Sequence, residues 1–160
     1  MDRLWAPWRI EYLTLPKPEG CPLCQKGDDR ELLILKRTEL VQILLNRYPY
    51  ANGHLMVAPL RHTADLDDLS EAEMLAIFQG GALCRRVLTR ASAPGGFNVG
   101  LNLGRAAGAG IEDHLHLHVV PRWTGDSSFM LSVADTRVIP EALLDTYDRL
   151  LPFFREEEGT

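Results

Sequence analysis

Three of the chain's five histidines, His114, His116 and His118, stand at alternate positions of DHLHLHVVPRW, residues 113–123. In a strand, alternate side chains share one face, roughly 6.6–7 Å apart, and Leu115, Leu117 and Val119 fall on the other. Three imidazoles on one face can do two kinds of chemistry. They can ligate a metal. Alternatively, one ring attacks an electrophile while its neighbours fix its tautomer and handle protons. Phosphorus suits such a ring, because the resulting phosphoramidate is itself a phosphoryl donor. Just upstream, GRAAGAGIED (104–113) offers backbone N–H groups that could receive phosphate oxygens, or a plain flexible turn.

A second set of candidates is CPLCQKG, residues 21–27, which has the form of a zinc knuckle. Redox use of a Cys-x-x-Cys pair needs a thioredoxin-like βαβ setting, which the sequence lacks. Metal binding needs two more ligands, and His62 and His114 are candidates by position. Cys84, inside an apolar helical stretch, reads as core. Trp5, Trp8 and Tyr12 read as packing or dimer contacts before base-stacking ones. Arg122 and Trp123 either lie over the distal end of a substrate or simply terminate the strand. The acidic run Asp65, Asp67, Asp68, Glu71 and Glu73 reads as a solvated helix start.

The elements that must hold these residues can be placed from pattern. Residues 32–36 and 39–46 read as two strands joined by a short turn, and 54–59 as a third closed by Pro59. Ser70 with Glu73 makes a capping box that opens a helix running to about Arg90, with Met74, Leu75, Phe78, Ala82, Val87 and Leu88 at helical spacing. FNVGLNLG (97–104) alternates like a strand, and 114–120 is the histidine strand. Pro140 opens a closing amphipathic helix through Leu151, with residues 152–160 a frayed tail. Short links between sequence neighbours, interrupted by one long helix, predict an α+β fold: an antiparallel sheet of about five strands with helices on one side.

Bulk properties bound the rest. At 160 residues, with 46% hydrophobic and 24% charged residues, the chain reads as one globular domain with an N-terminal arm over 1–30. A net charge of −5 argues against a nucleic-acid-coating protein. No apolar run approaches the roughly 20 residues a membrane span needs. Three cysteines, an odd number, without an export signal predict reduced thiols and a cytoplasmic location.

The run His114-Leu-His116-Leu-His118-Val-Val, with NRYPYANGHLMVAPLRH (46–62), WAPWRIEY and FNVGLNLG, resembles the histidine-triad (HIT) superfamily of nucleotide hydrolases and transferases. It looks closest to bacterial diadenosine polyphosphate phosphorylases and hydrolases. The resemblance implies that His116 attacks the α-phosphorus to form a nucleotidyl-histidine. It implies that His118 contacts the phosphate and helps the leaving group depart, and that His54 supports the nucleophile from the neighbouring strand. Asn46 matches a ribose contact, Asn102 a position near the phosphates, and the backbone of Gly110 and Ile111 an anion-binding turn. This chain has Ala109 and Gly110 where many members carry Gln or Ser, so only backbone donors remain there. Related members hold structural zinc at positions matching Cys21, Cys24, His62 and His114. A homodimer is implied as well. The competing readings are a non-catalytic nucleotide-binding sensor and a metal-dependent hydrolase using the triad as ligands.

Overall fold

The computed structural model describes residues 20–126 and 141–157. Five strands form one antiparallel sheet: β1 Ile34–Arg37, β2 Val41–Leu45, β3 Leu55–Pro59, β4 Gly96–Leu101 and β5 Leu117–Arg122. Their order is β1-β2-β3-β5-β4. Helix α1 (Glu71–Ser92) crosses from β3 to β4, and α2 (Leu143–Glu156) packs beside α1 and β1. This is the expected α+β architecture, with both helices on one face.

Alternation within the strands sorts the two faces. Leu35, Val41, Ile43, Leu45, Leu55, Val57, Leu117 and Val119 join Ile77, Cys84, Val87, Leu88, Leu150 and Phe154 in the main core. Side chains of opposite parity, Ile34, Leu44, Met56 and Ala58, form a second cluster under Leu23 of the Pro22–Cys24 turn. His118 pairs with Met56 across the β3–β5 ladder, so the histidines share that second face. Gly80 and Gly81 let α1 press close: a Cβ at either would lie 2.7 Å from Val57 or 2.9 Å from Leu117. The helix thereby clamps β3 and β5 from behind.

Several boundaries differ from the sequence reading, each for a local reason. Leu33 sits at φ 61°, left-handed for a non-glycine residue, so β1 starts two residues later than the pattern suggests. The capping box at Ser70 and Glu73 is present, but Glu73 is buried against the Arg61 guanidinium rather than solvated. On α1, Val87 and Leu88 face the core as expected, whereas Met74, Leu75 and Phe78 are exposed. Residues 152–157, within the stretch read as a frayed tail, are ordered by helix and ion pairs. Helix α2 runs through Glu156, with Phe154 buried and Glu156 and Glu157 paired to Arg90 and Arg86. Cys84 is buried in the core, as expected. Trp5, Trp8, Tyr12 and Pro140 lie outside the described residues. No helix among the described residues is long and apolar enough to cross a membrane.

Candidate active site and metal centre

β5 begins at Leu117, so only His118 of the three histidines lies within the ladder. The sequence reading extended this strand to residue 114. The ladder stops because Leu117 is already opposite the last residue of β4, Leu101, and β3 ends at Pro59, which has no N–H to donate. The approach is held by other bonds: Leu115 N–H donates to the Thr63 carbonyl at 2.7 Å, and Leu115 points into the main core. His114 and His116 are therefore free of sheet register yet fixed in place, and both are buried.

The partner of each ring nitrogen decides its tautomer. His116 Nδ1–H donates to the His114 carbonyl at 2.8 Å, which leaves Nε2 with an unshared lone pair. Burial pushes the His116 pKa below its ordinary value, so the ring is neutral near pH 7. A neutral, buried imidazole with one nitrogen tied down is an oriented nucleophile. Its ring lies 4.7 Å from that of His118 at a near-perpendicular 75°.

His118 is set by a chain of donors running the other way. Tyr50 N–H donates to His54 Nδ1 at 3.1 Å, so His54 carries its proton on Nε2. That Nε2–H donates to His118 Nδ1 at 2.9 Å, and His118 must then carry its own proton on Nε2. The Asn102 amide nitrogen lies 3.3 Å from that atom, and this tautomer of His118 calls for the amide turned over so that its oxygen accepts. Burial, and secondarily His116, push the His118 pKa down to about 4. Thus His116 offers a lone pair and His118 offers an N–H. His54 is bonded to His118, the neighbour of the nucleophile that the resemblance implies it supports.

Cys21, Cys24, His62 and His114 converge as the spacing and resemblance suggested, with one ligand atom from each and all four within 4.8 Å of one another. His114 Nδ1 lies 3.2 Å from Cys21 Sγ and 3.4 Å from Cys24 Sγ, and His62 Nδ1 lies 3.3 Å from Cys24 Sγ. Tetrahedral zinc with ordinary bond lengths separates sulfur and nitrogen ligands by about 3.6 Å, so the donor set fits with shifts of a few tenths of an ångström. Second partners fit as well: His114 Nε2–H donates to the Pro59 carbonyl at 2.8 Å, and Asp113 lies 3.7 Å from His62 Nε2. Burial raises the Cys21 thiol to about 11, so a thiolate there needs a cation. Gln42, buried on β2, donates to the Leu23 carbonyl at 2.6 Å and ties the knuckle to the sheet.

The remaining candidates fall unevenly. Asn46 follows β2 beside His54, its Oδ1 accepting from Tyr48 N–H at 2.8 Å. Gly110 is exposed, and Ile111 packs on the knuckle cluster. Trp123 Nε1–H reaches the Ser92 carbonyl at the end of α1, a strand-terminating contact. Arg122 binds Asp126 and the Asn98 oxygen. Sequence reasoning missed Tyr50, whose ring stacks on His54 with centroids 4.6 Å apart, and the carbonyls of Pro59 and His114. Tyr50 stood inside the quoted motif four residues before His54, the one signal available; backbone carbonyls leave no sequence signal. An open cleft lies on the β4 side of His118, bounded by Tyr50, Asn98, Gly100, Asn102 and Val120.

The antiparallel sheet thus presents one lone-pair imidazole beside one N–H imidazole, a pair suited to nucleophilic group transfer. The chain belongs to the HIT domain family, whose model matches residues 30–125. It is 41% identical over 157 residues to the AP-4-A phosphorylase of Mycobacterium tuberculosis, covering 91% of this chain and 80% of that protein. It is 30% identical over 95 residues to an asymmetrical bis(5'-nucleosyl)-tetraphosphatase of Schizosaccharomyces pombe, covering 59% and 52%. Among solved structures, a zinc-bound histidine triad family protein from Mycobacterium smegmatis superposes with a TM-score of 0.66. The two are 27% identical, and the match covers 79% of this chain and 86% of that one.

Proposed function

We propose that this protein is an enzyme that cleaves dinucleoside polyphosphates such as diadenosine tetraphosphate at the α-phosphorus, through a nucleotidyl-histidine on His116. The observation that carries the reading is the His116 Nδ1–H bond to the His114 carbonyl, which aims a neutral Nε2 as nucleophile. His116 Nε2 forms a bond to the α-phosphorus as the bond to the departing polyphosphate oxygen breaks. The Nδ1–H stays on the carbonyl and stabilises the positive charge that the ring acquires. His118 Nε2–H donates to the departing oxygen, and a polyphosphate is a good enough leaving group that this bond suffices. Asn102 steadies His118 until substrate arrives. In the second step an acceptor oxygen attacks phosphorus, the P–N bond breaks, and His116 regains its lone pair while the acceptor's proton passes to water. Asn46 would bond the ribose, and the backbone at Gly110 and Ile111 the phosphates.

Likeness to a phosphorylase favours inorganic phosphate as the acceptor. The test is incubation with diadenosine tetraphosphate, with and without phosphate. ATP plus ADP, dependent on phosphate, is the expected result. AMP plus ATP would replace phosphorolysis by hydrolysis, and two ADP, or no cleavage, would overturn attack at the α-phosphorus.

Zinc is the metal we assign to Cys21, Cys24, His62 and His114. Bound there it supplies cross-linking of the knuckle to the approach of β5, with no role in bond breaking, and the smegmatis relative is zinc-bound. Thiols that must stay reduced fit a cytoplasmic setting. The exposed Leu75 and Phe78 of α1, and exposed Val99 on β4, which ends the sheet among the described residues, support a homodimer. A monomer in sedimentation at micromolar concentration would overturn that part.

A further inference from the structure

Resting on that reading of His116 and His118, we propose that Gly100 is a specificity-determining residue, keeping the leaving-group side of the site open for a nucleoside polyphosphate. The cleft touches His118 and not His116, so it lies on the side of the ring that faces the departing oxygen. Attack in line places the departing group away from the attacking nitrogen, toward that side. Its floor is two strands. His118 and Val120 come from β5, with Gly100 and Asn98 directly opposite them on β4. Directly opposed residues share a face with Cβ atoms about 4.5–5.5 Å apart, so a side chain at position 100 would stand against the His118 ring.

Two amides bracket the glycine. Asn98 within β4 and Asn102, just past its end, are four positions apart, roughly 13 Å in extended chain, with Gly100 midway. The Asn98 oxygen accepts from Arg122 Nη1 at 2.7 Å, which leaves its Nδ2 hydrogens as donors on the cleft wall. Polar amides at the two ends, with the free Asn98 donors at one of them, and a bare backbone between suit an extended anionic chain better than a compact leaving group. Position 100 is not glycine for structural reasons: its φ is not positive, and a Cβ built there meets nothing within 4 Å. The space it leaves belongs to the cleft.

The experiment is a graded series, Gly100→Ala, Gly100→Val and Gly100→Leu, assayed on two substrates with the same adenylyl half. One is diadenosine tetraphosphate; the other is adenosine 5′-phosphofluoridate, whose leaving group is a single fluoride ion. The ratio of the two kcat/KM values should fall with each increase in size, by about ten- to hundredfold at valine, the effect of one overpacked contact. In a His116→Asn background, calorimetry should show Gly100→Val weakening diadenosine tetraphosphate relative to AMP. Thermal midpoints identify any variant that fails to fold, and the alanine step then carries the series. An unchanged ratio, whether both activities fall or neither does, overturns the assignment of Gly100, as does equal weakening of both ligands. Failure of the unsubstituted protein to cleave either substrate sinks instead the reading of His116 and His118.

Discussion

His114 and His116 are two residues apart, both buried, both on the approach to β5, and yet the fold turns them to opposite uses. His114 gives its Nε2–H to the Pro59 carbonyl and keeps Nδ1 for the knuckle. His116 gives its Nδ1–H to the His114 carbonyl and keeps Nε2. One backbone oxygen apiece decides which nitrogen stays basic. Residue type supplies an imidazole; the carbonyl it meets supplies the role. The Cys21, Cys24, His62 and His114 cluster and the reaction pair are also joined, because the carbonyl that orients His116 belongs to His114, a member of that cluster.

The largest expected effect separates the two regions outright. His116→Ala should lower kcat on diadenosine tetraphosphate by at least about 10⁴-fold, with the fold and metal content unchanged. Metal analysis of the purified variant and its circular dichroism check the second half. Turnover within about tenfold of the unsubstituted protein would place the nucleophile elsewhere.

A smaller effect tests the joint between the regions. Cys24→Ser removes one ligand without touching the reaction pair, and should lower bound zinc per chain and the thermal midpoint. Loss of such support typically costs about 10–100-fold in metal affinity or activity. The fall should appear in kcat more than in KM, with the pH profile unmoved. A zinc ion with two thiolates carries no net charge, so emptying the site shifts His116 in position and hardly in charge. A kcat and a midpoint that both survive complete loss of zinc would show that the quartet does not support the nucleophile.

How much of this was legible beforehand follows from which forces carry information in side chains. The four residues of the cluster were nameable from Cys-x-x-Cys spacing, the few histidines and the family resemblance, and they converge. The sheet and the capping box at Ser70 were readable from periodicity and from two residue types at fixed spacing. The start of β5 was not. It depends on where β4 runs out and on the missing N–H of Pro59, both long-range facts. His54 was found, but its bond to His118 was not, since that bond depends on angstrom-scale register between β3 and β5. Glu73 was read as solvent-facing, because nothing in the acidic run says that Arg61 folds back over it. Likewise residues 152–157 looked frayed by composition, and nothing local says that α1 supplies Arg86 and Arg90 as partners for Glu157 and Glu156.

The smallest expected effect concerns that same Glu73, and it contrasts a carboxylate used for the fold with imidazoles used for chemistry. Arg61 first, and the Ser70 backbone N–H second, hold the Glu73 carboxyl down from 4.5 to about 2. A group whose folded pKa is depressed binds fewer protons folded than unfolded. Its contribution is complete above about pH 4.5 and is lost as the pH falls toward 2. Glu73→Gln keeps the shape but removes the charge and weakens the capping box, at about 1 kcal/mol near neutral pH. In urea titrations from pH 6 to pH 2, the stability of the unsubstituted protein should fall more steeply below pH 4.5 than that of the variant. Other depressed carboxyls, such as Glu141 beside Arg149, leave a residual slope in both proteins. Parallel slopes would mean that the Arg61–Glu73 pair is no tighter folded than unfolded, and that α1 is held against the sheet by Gly80, Gly81 and the core alone.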